Sequence, residues 1–269
     1  MPKAPSEFTA HSAGAKLACY RRGTGAPILL IQGVAGHHGV WGEPFLKRLA
    51  AELEVITYDH RGIGDSSAAG SFTLDDLVAD AVAVLDWGGF SSAHVLGFSM
   101  GGTIAQRLAL EHPERLRSLT LASTWSDTDN VFGEGVLSFA AAGQAEDPET
   151  ATFIMFEANV SATYAADEAN FPPFRDAALS VQVPVPVVMQ QVVATAAHDV
   201  IARLGEVKAP TLVVHGTQDL VINVAAGERL AGVIPGAHLE LWPGLGHNLA
   251  WEVPDRLADV VLKHVKAHS

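Results

Sequence analysis

Gly97-Phe98-Ser99-Met100-Gly101 sets one serine between two glycines in a G-x-S-x-G spacing. His94-Val95-Leu96 before it reads as a strand, and Gly102 and Ala105 after it open a helix. A serine at so sharp a strand-to-helix turn is expected in a strained conformation, and the small neighbours leave room for it. Its hydroxyl then stands at a helix N-terminus, where the dipole favours developing negative charge. A hydroxyl is too weak an acid to attack unaided, so it needs a base, and the base needs an orienting group. The plain alternative is a glycine-rich turn without catalysis, and the partners decide between the two.

The expected base is His247, in the loop Pro243-Gly244-Leu245-Gly246-His247-Asn248 just after a predicted strand. Of the other eleven histidines, ten lack that placement, and His215, which ends a strand ahead of Gly216, reads as structural. The expected acid is Asp219, at the carboxyl end of the strand Leu212 to Val214, with Asp127 as its rival after the strand ending at Ala122. Two backbone N–H groups are expected to hold an oxyanion. One belongs to Met100, next to the nucleophile, and the other to Val34 in the loop Gln32-Gly33-Val34-Ala35-Gly36. His37-His38 suggests a metal at first sight, but adjacent side chains point apart and no third ligand is evident in the sequence. Gly62-Ile63-Gly64 follows a strand without the rest of a dinucleotide fingerprint. Neither metal nor organic cofactor is therefore expected.

These residues need a scaffold that brings distant positions to one edge. Pro27 to Ile31, Glu54 to Tyr58, His94 to Phe98 and Leu116 to Ala122 are apolar runs of strand length. Helical patterns separate them at Pro44 to Ala51, from Thr73 as N-cap to Gly88-Gly89, and at Gly101 to Glu111, which Pro113 stops. The alternation resumes with Thr211 to His215, Ala225 to Ala231, His238 to Trp242 and Pro254 to Ala267. Such an order predicts a mostly parallel, doubly wound sheet covered by helices on both faces. Between the halves the rhythm breaks. Pro172-Pro173 and Val183-Pro184-Val185-Pro186 disfavour strands and long helices, so several short helices are expected. The domain reading is a core of residues 1–124 and 207–269, with residues 125–206 inserted as a helical lid. Trp41, Trp125, Phe153, Phe156 and Met189 are candidate pocket residues, for which core packing is the competing explanation.

The 269 residues, 48% hydrophobic, suffice for a large core. A formal net charge of −13 argues against nucleic acid and against an anionic membrane surface. The single cysteine, Cys19, lies in an alternating strand-like run and reads as a packed thiol. Residues Met1 to Ala15 contain no apolar stretch resembling a signal peptide, and no window suits a membrane span, so a cytoplasmic location is the expectation.

Tyr58-Asp59-His60-Arg61-Gly62-Ile63-Gly64-Asp65-Ser66 resembles the D-x-R-G-x-G-x-S segment common in α/β-hydrolases. With the serine elbow, the chain order Ser, acid, His, the His215 to Asp219 turn and the Gly246-His247 loop, the resemblance covers nearly the whole chain apart from the lid. It extends to esterases, enol-lactone hydrolases, anthracycline methylesterases and cofactor-free haloperoxidases. The resemblance implies the α/β-hydrolase fold and hydrolysis of a small-molecule carboxylic ester or lactone through an acyl-enzyme, without cofactor. Perhydrolysis or acyl transfer with the same triad, C–C bond hydrolysis, and a non-catalytic ligand-binding protein are the alternatives. Gln32-Gly33 stands where many relatives carry His-Gly. Ser99 sets the chain apart from dehalogenases and epoxide hydrolases of this fold, which use aspartate there. Substrate identity and any homo-oligomer are left open.

Overall fold

The computed structural model describes residues 9–129 and 131–269. Most of the N-terminal stretch read above for a signal peptide, residues 1–8, lies outside them. Strands β1 (Thr9–Ser12), β2 (Ala15–Arg22), β3 (Ala26–Ile31), β4 (Leu53–Tyr58) and β5 (Ser67–Ala68) come from the first quarter of the chain. Helix α1 (Glu43–Ala50) connects β3 to β4. Then follow α2 (Leu74–Gly88), β6 (Ala93–Phe98), α3 (Met100–Glu111) and β7 (Leu116–Ala122). The insertion carries α4 (Leu137–Ala142), α5 (Pro148–Asn159), α6 (Ala162–Ala165), α7 (Phe171–Ala178) and α8 (Val185–Thr195), the short helices that the prolines predict. The chain closes with β8 (Thr211–Gly216), α9 (Val224–Val233), β9 (His238–Trp242), α10 (Leu249–Glu252) and α11 (Pro254–Ala267).

The strands form one sheet in the order β1-β2-β4-β3-β6-β7-β8-β9, with β5 beside β2. From β4 to β9 every pairing is parallel, while β1, β2 and β5 add an antiparallel edge. β1 and β5 were not foreseen, because short strands without a run of apolar residues carry little periodicity.

Alternation along the strands divides the core. In β3, Leu29 and Ile31 face α2, α3 and α9, whereas Ile28 and Leu30 face α1 and α11. Both sheet faces are therefore covered, which is why the central strands read as continuous apolar runs. Thr73 caps α2 as expected, in a reciprocal capping box with Asp76. Cys19 is buried in β2, and burial pushes its thiol up to about 12, so it is a packed, unreactive group.

Register aligns the carboxyl ends that matter. Ile31 pairs with Gly97, Phe98 with Ala122, Ala122 with Val214, and Gly216 with Trp242. The loops after β3, β6, β7, β8 and β9 consequently leave one edge of the sheet together. Parallel sheets place ligands at this edge.

Candidate active site

Three non-glycine residues among those described have positive φ: Ala35 at 62°, Ser99 at 53° and Ser123 at 47°. They follow β3, β6 and β7, three strands that are neighbours in the sheet. Left-handed backbone at an L-residue is costly and persists where the surroundings enforce it. At Ser99 the enforcement is visible. Its N–H donates to the Ala122 carbonyl at 3.0 Å, and its own carbonyl accepts from Thr124 Oγ1 at 2.6 Å and from the Gly102 N–H at 2.8 Å. Gly97 and Gly101 are needed for packing. A Cβ on Gly101 would run into the Ile31 carbonyl, and one on Gly97 would lie 2.7 Å from Gly102 Cα. The G-x-S-x-G spacing is thus the condition for α3 to pack closely on β6 and β3.

Asp219 and His247 meet. Asp219 Oδ2 accepts from His247 Nδ1 at 2.7 Å. Asp219 Oδ1 accepts from the N–H groups of Val221 at 2.9 Å and Ile222 at 2.8 Å. His215 Nε2 lies 3.1 Å from Asp219 Oδ2 and 3.0 Å from the Ile222 carbonyl. Both of those partners only accept, so His215 carries its proton on Nε2 and braces the carboxylate. Burial by itself raises the carboxyl pKa of Asp219. The His247 charge and the hydrogen bonds from His215 and His247 outweigh that and hold it below the usual carboxylate range. With Nδ1–H pointing at Asp219, the lone pair of His247 is on Nε2, as a general base requires.

Asp127, the rival acid, binds Arg229 at 2.9 Å and Ser126 Oγ at 3.0 Å. It makes no contact with His247 among the described residues. The ring of His247 packs 4.9 Å from that of Phe98, the residue before Ser99. No hydrogen bond joins Ser99 Oγ to His247 among the described residues. Such bonds are commonly long in an empty site and tighten when substrate is bound.

The loop after β3 lies directly against Ser99. A Cβ on Gly33 would stand 3.1 Å from the Ser99 Cβ. Within this loop the Gly33 N–H donates to Gln32 Oε1 at 2.7 Å, that of Ala35 to Gln191 Oε1 at 2.8 Å, and that of Gly36 to the Gly33 carbonyl. Val34 is left as the amide of residues 33–36 without an acceptor among the described residues. The Met100 N–H, in the first turn of α3, has no intrahelical acceptor either. Gln32 braces the loop, and its carbonyl accepts from His60 Nε2 at 2.8 Å.

The five pocket candidates do not gather. Trp41 is buried against Phe45 and Phe98 on one sheet face, and Trp125 is buried in the core of the other. Phe156 is enclosed by Phe171, Phe174 and Tyr164 within the insertion. Phe153 and Met189 are exposed. Composition alone cannot separate a pocket aromatic from a core aromatic, because both prefer apolar neighbours. A groove of about 810 Å³ beside β2 and α1, lined by Tyr20, Arg22, His38 and Glu43 among others, includes none of the five.

Asp59 corrects the reading that His37-His38 has no third partner, since the three offer ligand atoms within 4.8 Å of one another. The three already sit in a hydrogen-bond network, however, in which Asp59 Oδ1 accepts from the His38 backbone N–H at 2.9 Å. His38 Nδ1 is 2.7 Å from Asp59 Oδ1, and His37 Nδ1 accepts from the Gly39 N–H at 3.1 Å. A neutral imidazole has one lone pair, so metal ligation by His37 Nε2 would break that bond. The group serves as a hydrogen-bonded brace for the loop after Gly36.

Several supporting residues escaped the sequence. Ser123 Oγ donates to the His247 carbonyl at 2.8 Å. Glu252 Oε1 accepts from the Gly246 N–H at 2.7 Å, and burial raises the pKa of this carboxyl. Gln191 reaches the loop after β3 from the insertion. The available signal for Ser123 was its place just beyond a central strand. For Gln191 it was an amide inside the apolar segment Val185 to Val193.

The sequence profile of the alpha/beta hydrolase fold matches residues 26–254. This chain belongs to the α/β-hydrolase family. Relatives of this α/β-hydrolase include a Caulobacter segnis protein named "Putative carbamate hydrolase RutD", 29% identical over 254 residues, covering 89% of this chain and 91% of that one. A shorter match is 48% identical over 101 residues to rhodomycin D methylesterase DnrP of Streptomyces peucetius, covering 36% of this chain and 34% of that one. Among solved structures, the esterase RhEst1 from Rhodococcus sp. ECU1013 superposes with a TM-score of 0.84 at 25% identity, covering 97% of this chain and 98% of that one. No helix among the described residues is long and apolar enough to cross a membrane.

Proposed function

We propose that this hydrolase cleaves small-molecule carboxylic esters or lactones through an acyl-enzyme on Ser99. The observation that carries the reading is the 2.7 Å bond from His247 Nδ1 to a buried Asp219 whose oxygens also accept from Val221, Ile222 and His215, at the sheet edge where strained Ser99 opens α3. Ser99 Oγ forms a bond to the acyl carbon as its proton passes to His247 Nε2. The N–H groups of Val34 and Met100 receive the oxyanion, each such donor being worth about 3 kcal/mol in the transition state. The carbon–oxygen bond to the leaving group breaks, and the imidazolium gives that oxygen its proton. Water, deprotonated by His247, then frees the acid and restores Ser99.

In this reading residues 125–206 act as a lid over the carboxyl ends of the strands. Its ties support that role: Ala35 bonds to Gln191, the Gly64 N–H to the Gln182 carbonyl, and the Asn248 N–H to the Asn159 carbonyl. The reading needs no cofactor. The RutD-like relatives favour a second reading, hydrolysis of carbamates, by the same residues. Perhydrolysis or another acyl transfer would differ only in the acceptor.

The test is p-nitrophenyl acetate turnover and fluorophosphonate labelling of wild type and Ser99→Ala. Wild type should turn over and label. The variant should stay folded, fail to label, and lose a factor on the order of 10⁶ in kcat. Retained turnover or labelling in Ser99→Ala refutes the assignment.

A further inference from the structure

Helix α8 packs Val187 and Ala194 on the core, yet it turns three large apolar side chains outward and an amide inward. Val185, Met189 and Val193 are 64%, 56% and 72% exposed, while the amide of Gln191 is wholly buried. An unpaired buried polar group is costly, so burying an amide under an apolar helix calls for partners. One partner is in place: Gln191 Oε1 accepts the Ala35 N–H at 2.8 Å. Ala35 is the residue with φ of 62° in the loop that faces Ser99, and it adjoins Val34. Because the Ala35 N–H needs an acceptor, Oε1 belongs on that side and Nε2 on the other. Nε2 is buried with its two N–H groups and has no partner among the described residues. Buried donors left empty are uncommon in folded proteins, and a ligand oxygen is one way to complete them.

We propose that Gln191 is a lid-borne positioning and specificity residue. Its Oε1 fixes the Ala35 peptide and so aims the Val34 N–H. Its Nε2 donates to a second acceptor oxygen of the substrate, close to the scissile carbonyl. The preferred class is then esters or lactones with a neighbouring carbonyl or ether oxygen. The inference rests on the hydrolase reading of Ser99. A site arranged to hydrogen-bond a substrate group discriminates strongly against the analogue lacking it.

Methyl 2-oxo-2-phenylacetate and methyl phenylacetate differ by a carbonyl in place of a methylene, and their kcat/KM ratio reads the Nε2 contact. In Gln191→Met, of similar size, kcat on methyl phenylacetate should fall about tenfold with KM within about twofold, the mark of an interaction made in the transition state. On the oxo ester kcat/KM should fall about 100-fold, so the ratio drops about tenfold from wild type. An unchanged ratio, or an unchanged kcat on the plain ester, overturns the proposal. If Gln191→Met folds poorly, Gln191→Ala is read by the same ratio, which does not depend on the fraction folded. Wild type that labels with fluorophosphonate while the ratio stays constant sinks the Gln191 role alone. Wild type that neither labels nor turns over an ester sinks both readings.

Discussion

Replacing Asp219 by asparagine tests the orientation of the base, and the structure dictates how the new amide must sit. Asp219 Oδ1 accepts two backbone N–H groups, from Val221 and Ile222, at 2.9 and 2.8 Å. Those donors cannot move or change sign, so the asparagine oxygen takes that side. The amide NH₂ is forced to face His247 Nδ1 and His215 Nε2. His247 can answer by switching tautomer, which moves its proton to Nε2 and removes the lone pair that Ser99 needs. A wrong-tautomer triad loses about 10⁴ in kcat. That is a barrier higher by about 5.5 kcal/mol. His215 then meets an N–H with its own N–H, a further loss of about 1–3 kcal/mol in stability. The assay is p-nitrophenyl acetate turnover, with circular dichroism to confirm the fold. An Asp219→Asn enzyme keeping more than a tenth of wild-type kcat refutes the reasoning. So does Asp127→Asn causing the larger loss.

Three further outcomes follow from the packing of buried groups. Arg61 is buried and bound by Asp80 through Nε at 2.7 Å and Nη2 at 2.6 Å, so Asp80→Ala leaves a buried cation with Asp76 Oδ1, 3.7 Å away, in place of its bidentate partner. It should cost about 3–5 kcal/mol and lower Tm by roughly 10 °C in a thermal melt, and a drop under about 3 °C contradicts this. Buried His37, His94 and His198 are each held down to about 4 by burial. As pH falls, the unfolded chain takes up protons first, so stability is full above about pH 7 and drains between about 6.5 and 4, by about 3 kcal/mol for each histidine. Melts from pH 7.5 to 4.5 should show the decline, and a flat Tm counts against it. Gly33→Ala would press a methyl to 3.1 Å from the Ser99 Cβ, and kcat should fall about tenfold or more on any ester while the melt shifts little. Unaltered kcat would show that the loop can yield there.

Local signals were legible because they need only neighbours in the chain. Apolar runs gave the central strands, Thr73 gave the start of α2, and two glycines around Ser99 gave the turn. Chain order fits Asp127 and Asp219 alike; the place of Asp219 at a strand's carboxyl end, beside the loop that carries His247, favoured it over Asp127. Ser123, Glu252 and Gln191 were not legible. Each acts on the site across a long separation or from an element whose inward face is hidden in the sequence. Helix α8 is the clearest case, since Gln191 turns its amide inward beside Val187 and Ala194 while Val185, Met189 and Val193 stay exposed.

The sequence by itself determined where the strands end and which serine, carboxylate and histidine stand beyond those ends, because strand, turn and cap preferences are short-range. Only the tertiary structure decided how the side chains pair, which loop amide stays free and which way the inserted helix faces. Those outcomes depend on sheet register and on contacts such as Ala35 with Gln191, 156 residues apart, for which no local pattern exists.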